Sequence, residues 1–258
     1  MSDIEKLGKR ERHDLILNEI RTAAAIRVSE LAGRLGVSGE TIRRDLAELG
    51  QTGLISRTYG GATIRPLTSE PTVSERGLAF VEERSRIGAA AARRIEDGQI
   101  VMIDGGTTTW QVARHLTQAA RDLTVITNSA AIASAVGLNP NFRVILCPGT
   151  YDAREGSVLG EDAVEYLQRF NAHLAVIGAT GLAESGPSDA IAGAAVFKRA
   201  MLGRAAESML VIDRSKFGRT ALQTVCPLDA LGLIITDAEP PEALADAIRR
   251  AGVTLAVV

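Results

Sequence analysis

Apolar positions in the N-terminal stretch recur at helical spacing. From Lys9 to about Ala23, Ile16, Leu17 and Ile20 form one stripe among charged residues, which predicts an amphipathic helix. A second helix is expected close behind, with Leu31 and Leu35 on one face, Ser29 placed to cap its start and Gly36 placed to end it in the left-handed conformation. Ser38 opens a third helix, whose residues Ile42, Leu46 and Leu49 fall at i, i+4 and i+7, with Gly53 as its stop. From Leu54 to Ile64, β-branched and aromatic residues surround Gly60 and Gly61, the pattern of a short two-stranded ribbon or wing.

The segment from Arg65 to Thr72 holds two prolines and few anchoring apolar residues. It reads as a linker, so the expected organisation is a helical unit over 1–65, a linker over 66–75 and a second domain over 76–258. In that domain short apolar runs alternate with helical patterns: 100–103, 123–127, 142–147, 174–177, 209–212 and 231–236. Strands apolar at nearly every position are buried on both faces, which predicts an α/β domain with a parallel sheet between helix layers.

Net charge is −2 over 258 residues, which looks unfavourable for nucleic acid until it is divided along the chain. Residues 1–65 carry eleven Lys and Arg against nine Asp and Glu, a net of +2, while the remainder carries eighteen against twenty-two. Affinity for DNA would therefore rest on a few well-placed cations, duplicated by oligomerisation, rather than on bulk potential. Cys147 and Cys226 lie far apart with no nearby histidine, and His13, His115 and His173 are isolated, so no metal site and no cofactor is expected. No signal peptide or membrane span is indicated, which makes the cytoplasm the expected compartment.

Two constellations carry chemistry. If Ile42, Leu46 and Leu49 face inward, the helix opened by Ser38 presents Glu40 and Arg44 outward with Thr41 and Arg43 beside them. These residues suit the major groove of double-stranded DNA, where an arginine either forks onto guanine or binds phosphate, and Arg57 and Tyr59 in the wing are further candidates. In the second, a buried strand ends in Asp104-Gly105-Gly106-Thr107-Thr108-Thr109 before a helix begins. Glycines admit an anion close to the backbone, helix-start N–H groups point outward and threonine hydroxyls add donors, so the turn fits a small phosphate or a polyol. Thr127-Asn128-Ser129 and Gly178-Ala179-Thr180 end two other strands, and ligands gather at such carboxyl ends. Trp110 follows the threonine turn and reads as packing or as a flank of the pocket that would report ligand binding by fluorescence.

These motifs bring a family into view. Residues 28–62, VSELAGRLGVSGETIRRDLAELGQTGLISRTYGGA, resemble the winged helix-turn-helix of the DeoR family of bacterial regulators almost throughout, with the recognition helix at Val37 to Leu46 and an aromatic residue before GGA at Tyr59. From about Arg84 to Val258 the chain is similar to the DeoR sensor domain at DGGTTT (104–109), LTVITNS (123–129), IGATGL (177–182), FKRAM (197–201) and DRSKFG (213–218). The resemblance implies a sensor fold similar to ribose-5-phosphate isomerase, a threonine-rich turn that takes an effector's phosphate, and Asp104, Lys198, Asp213 and Lys216 near the pocket. One departure stands out: many members carry an acidic residue a few positions before KRAM, where this chain has Ala192-Gly193-Ala194-Ala195, preceded by an unusual Gly186-Pro187-Ser188-Asp189-Ala190.

The expected function is a transcriptional repressor of a sugar or polyol operon, relieved by a phosphorylated sugar-like effector and acting as a homodimer or homotetramer. The competing class is a sugar-phosphate isomerase with an accessory DNA-binding module. Isomerisation needs a positioned carboxylate base, and replacement of the acidic position argues against turnover, although Asp104 or Asp189 could substitute.

Overall fold

The computed structural model describes residues 8–23, 25–51, 55–64, 68 and 70–258. The chain divides into two compact units, Met1–Pro66 and Leu67–Val258. In the first, helix α1 (Lys9–Ala23) leads into strand β1 (Ala25–Arg27), then α2 (Val28–Leu35), α3 (Gly39–Gln51), β2 (Ile55–Thr58) and β3 (Gly61–Ile64). Ile16 and Ile20 of α1, Leu31 of α2 and Ile42, Leu46 and Leu49 of α3 close on one core. The helical stripes in the sequence thus face one another, and Gly36 ends α2 at φ 64°.

Two local expectations change. Ser29 lies inside α2, which starts at Val28, and the Glu30 carboxylate accepts the Arg27 backbone N–H at 3.2 Å. The wing is also a three-stranded sheet, because β1 pairs antiparallel with β3 on the side away from β2. Gly60 turns the ribbon at φ 87°, and a Cβ on Gly61 would sit 2.1 Å from the Ile26 carbonyl oxygen, so the close β1–β3 approach requires glycine there. The stop expected at Gly53 and the wing's first residue, Leu54, lie outside the described residues.

The second unit comprises α4 (Val73–Gly77), α5 (Val81–Ala92), β4 (Ile100–Ile103), α6 (Thr107–Ala119), β5 (Thr124–Thr127), α7 (Ala130–Val136), β6 (Arg143–Leu146), β7 (Thr150–Asp152), β8 (Ser157–Leu159), α8 (Glu161–Leu167), β9 (Ala172–Ile177), β10 (Gly181–Ala183), β11 (Gly186–Asp189), α9 (Ala192–Leu202), β12 (Ala205–Val211), β13 (Gln223–Thr224), β14 (Leu233–Thr236), α10 (Glu242–Arg250) and β15 (Thr254–Val257). Seven strands form a parallel sheet in the order β15-β14-β12-β9-β4-β5-β6. Strand residues alternate between two cores, as the continuous apolar runs require. Val101 and Ile103 pack with α5, α6 and α7, while Met102, Ala175 and Ile177 pack with α8, α9 and α10. Both cysteines are buried, and burial pushes each thiol up to about 11, with Asp229 adding to the shift at Cys226.

The segment 66–75 departs from the expected linker. From Glu70 onward it belongs to the α/β unit: Glu70 is buried, and Thr72 caps α4 by accepting the Glu75 N–H while the Glu75 carboxylate accepts the Thr72 N–H at 2.8 Å. Its anchors are ionic and capping groups, which a count of apolar residues passes over.

Candidate functional site

The strand order reverses between β4 and β9. Successive strands β4, β5 and β6 extend one way and β9, β12, β14 and β15 the other, so the loops leaving β4 and β9 part and open a crevice at their carboxyl ends. Asp104 leaves β4 and Gly178 leaves β9 at this point, and the Gly178 N–H reaches the Asp104 carboxylate at 3.4 Å. Gly105 is packed against Ser157, where a Cβ would lie 1.9 Å from Oγ. Gly106 occupies the cap position of α6 and offers no side chain, so the first-turn N–H groups at Thr107, Thr108 and Thr109 are left open toward the crevice.

Lys198 reaches the same place from α9. Its ammonium pairs with Asp189 of β11 and lies 3.2 Å from Asp104. Burial and the neighbouring Asp189 charge push the Asp104 carboxyl up to about 6 against the pull of Lys198, while the two carboxylates overcome desolvation and raise Lys198. Such a cluster supplies acceptors for hydroxyl groups beside a fixed cation. On the other flank, Arg84 donates to Asp213 at 2.8 Å and to the Thr107 hydroxyl at 3.0 Å. Arg84 and Ser215 hold the Asp213 carboxyl below its usual range although burial opposes them. Arg76 forks onto Glu155 at 2.9 and 3.2 Å, and Lys216 donates to Glu70 at 2.7 Å.

These groups enclose a cavity of about 50 Å³, lined by the turn 104–109, the loop 178–180, Lys198 and Lys216. A second cavity, of about 370 Å³, shares Arg84, Gly106, Thr107 and Glu155 with it and extends to Trp110, Tyr151 and Ser129. Trp110 thus borders the cavity and is stacked by Arg114. Thr127, Asn128 and Asp213 are not brought to either wall. The Thr127 hydroxyl accepts the Ser129 N–H, and Asn128 bridges the Gly105 N–H and the Val158 carbonyl. Glu70, Arg76, Arg84 and Glu155 were missed as lining residues, and Asp189 was named only as a carboxylate that could substitute as a base. They come from segments far apart in sequence, and the one local signal was the unusual Gly186–Ala190 stretch that carries Asp189.

In the first unit, Ser38 caps α3 by accepting the Thr41 N–H at 3.1 Å. Glu40, Arg43 and Arg44 are exposed on α3, with Arg43 and Glu40 paired at 3.2 Å, Thr41 is half-buried, and Tyr59 projects fully from the wing. The Arg57 side chain lies outside the described residues. Asp45, on the same helix, points inward: it is buried and receives Arg12 at 2.6 and 3.0 Å and His13 at 3.1 Å. Burial opposes ionisation there, but these hydrogen bonds outweigh it and hold Asp45 below the usual carboxylate range. His173 accepts the Ile100 N–H and His115 meets Ser85, so all three histidines have packing partners.

The profile of the DeoR C terminal sensor domain matches residues 79–238, and that of the DeoR-like helix-turn-helix domain matches residues 12–66. The chain belongs to the DeoR family of transcriptional regulators. It is 32% identical to the glycerol-3-phosphate regulon repressor of Escherichia coli K12 over 90% of this chain and 92% of that one. It is 33% identical to the HTH-type transcriptional repressor GlcR of Bacillus subtilis over 96% and 95%. Among solved structures, the eIF2B-beta2-delta2 complex of C. thermophilum shares the fold over 95% of this chain and 89% of that one, with TM-score 0.50 and 14% identity. Among the described residues of this DeoR-family chain, no group of side chains is arranged to hold a metal ion and no helix is long and apolar enough to cross a membrane.

Proposed function

We propose that this DeoR-family regulator is a repressor of a sugar or polyol operon, released from DNA when a phosphorylated sugar or polyol enters the crevice between β4 and β9. The observation that carries the reading is the uncapped amino end of α6, facing a crevice ringed by Arg84, Lys198 and Lys216 where the strand order reverses. Open backbone N–H groups and nearby cations select an anion, and the Asp104–Lys198–Asp189 cluster beside them selects hydroxyls. The name of the glycerol-3-phosphate regulon repressor supports a phosphorylated polyol, and both repressor relatives support the role.

Residues 39–44 of α3 and their cap Ser38, with the wing, read the operator in the cytoplasm, in a homodimer or homotetramer that sets two recognition helices on successive major-groove faces. Each tenfold loss of DNA affinity needs about 1.4 kcal/mol of differential effector binding between the two states. An isomerase reading draws on one observation, the Asp104 carboxyl at about 6, a value suited to proton transfer. Its pairing with Lys198 serves equally to orient a bound hydroxyl.

A thermal-shift screen of sugar phosphates, free sugars and polyols tests the proposal, paired with binding to a duplex selected by the protein from a random library. The expected hit is phosphorylated, raises Tm by mass action, loses this effect in Thr107→Ala and weakens duplex binding. Turnover of the hit with no change in duplex binding would replace the repressor reading with the enzyme.

A further inference from the structure

We infer that the Glu70 carboxylate is a built-in occupant of the anion seat formed by Lys216, Arg219 and Arg76, and that an effector's anionic group takes its place, freeing the segment that leads to the DNA-binding unit. The inference rests on the effector reading above. Lys216 Nζ lies 2.7 Å from Glu70 Oε1, Arg76 Nε lies 3.9 Å from the same oxygen, and Arg219 lies 3.6 Å from Oε2. Three cations therefore reach one carboxylate, with Arg76 shared with Glu155. Glu70 is 6% exposed, yet its Oε2 accepts no hydrogen bond. A carboxylate with two oxygens fills this seat incompletely, whereas a tetrahedral dianion presents more acceptors and twice the charge to the same donors.

Space and attachment favour the exchange. With Glu70 in place, the inner cavity measures about 50 Å³, far below the few hundred Å³ that small-molecule sites enclose. The Glu70 side chain is part of its wall, so leaving would enlarge it. Beyond Glu70 the segment has few ties to the rest of the unit: α4 buries no residue, the Val73 N–H donates to the Arg154 carbonyl at 2.7 Å, Arg76 pairs with Glu155, and Arg84 donates to the Arg76 carbonyl, while the Thr72–Glu75 cap is internal to it. Three residues, 67–69, separate Glu70 from Pro66, the last residue of the first unit. Displacing Glu70 thus alters the tether of the DNA-reading unit with no change required inside the sheet.

The test uses the full chain as wild type and as Glu70→Gln, which keeps the shape of the side chain, with inorganic sulfate as a dianion of constant charge. Without sulfate, amide exchange over 73–77 is expected to be about tenfold faster in Glu70→Gln, and saturating sulfate should accelerate the same amides in wild type. Sulfate should also bind Glu70→Gln about tenfold more tightly, because a competitor held in most molecules has been removed. Sulfate bound with 73–77 unaltered, or bound more weakly by Glu70→Gln, overturns the exchange and leaves the effector site standing. A Glu70→Gln protein that binds no sulfate, sugar phosphate or polyol overturns both.

Discussion

Two buried aspartates show how side chains of one type acquire opposite roles. Asp104 has its carboxyl raised to about 6 chiefly by burial, so it becomes neutral as pH falls through that value and its repulsion of an incoming anion disappears. Sulfate affinity, measured by titration calorimetry between pH 7.5 and 5, is expected to rise through about pH 6 in wild type and to be much flatter in Asp104→Asn. Asp45 is the reverse case, since Arg12 and His13 depress its folded value. Its stabilising effect is therefore present above the unfolded carboxylate value of about 4 and is lost as pH falls through the lower folded value. Asp45→Asn should destabilise the first unit by about 2–3 kcal/mol at pH 7, because Arg12 loses a buried ionic partner, and the deficit should shrink in acid. Thermal melts at pH 7 and pH 3 check both statements. The family resemblance had placed Asp104 and Lys198 near one pocket, whereas the Asp45 pairing was not legible in the sequence. Asp45 reads there as one more polar residue on a helix, and its partners lie more than thirty positions away.

At the scale of elements, periodic burial was the readable quantity. The apolar runs 100–103, 123–127, 142–147, 174–177, 209–212 and 231–236 each coincide with or overlap a strand of the large sheet, because strand positions buried between two helix layers are apolar without a break. The seventh strand, β15, at the edge opposite β6, was not assigned from the sequence. β1, β7, β8, β10 and β13 escaped because strands of two or three residues show no periodicity, and β11, with the sequence Gly186-Pro187-Ser188-Asp189, because it carries no apolar run. The threonine turn and loop 178–180 were found because each follows a legible strand, whereas the cavity's far wall is assembled from ion pairs between distant segments. For α3, the fold separates Ile42, Leu46 and Leu49 in the core from Arg43 and Arg44 at the surface. Arg43→Ala and Arg44→Ala should leave Tm within about 1 °C of wild type, as exposed substitutions do, yet weaken duplex binding. A residue on phosphate should lower the slope of log affinity against log salt by about one, while a residue on guanine should cost about 1–3 kcal/mol and relax selectivity at one base pair. Fluorescence anisotropy over a salt series on the selected duplex separates the two.

Over the whole molecule, the charge distribution constrains the working assembly. A net +2 on residues 1–65 supplies too small a field for one copy to hold DNA firmly, so paired units should act together. Light scattering of the purified chain is expected to give a dimer or tetramer, and footprinting to give half-sites separated by about 10 bp or a multiple of it. A monomer protecting one isolated site would remove that part of the proposal. The burial of both sulfur atoms has a different consequence. With Cys147 and Cys226 protonated up to about pH 11 and enclosed, the native chain presents maleimide reagents with almost no thiolate at neutral pH. It is in effect already a cysteine-silent background: a single thiol placed at the exposed Tyr59 position could carry a dye without any further engineering, and the wing would become its own reporter of operator engagement and release.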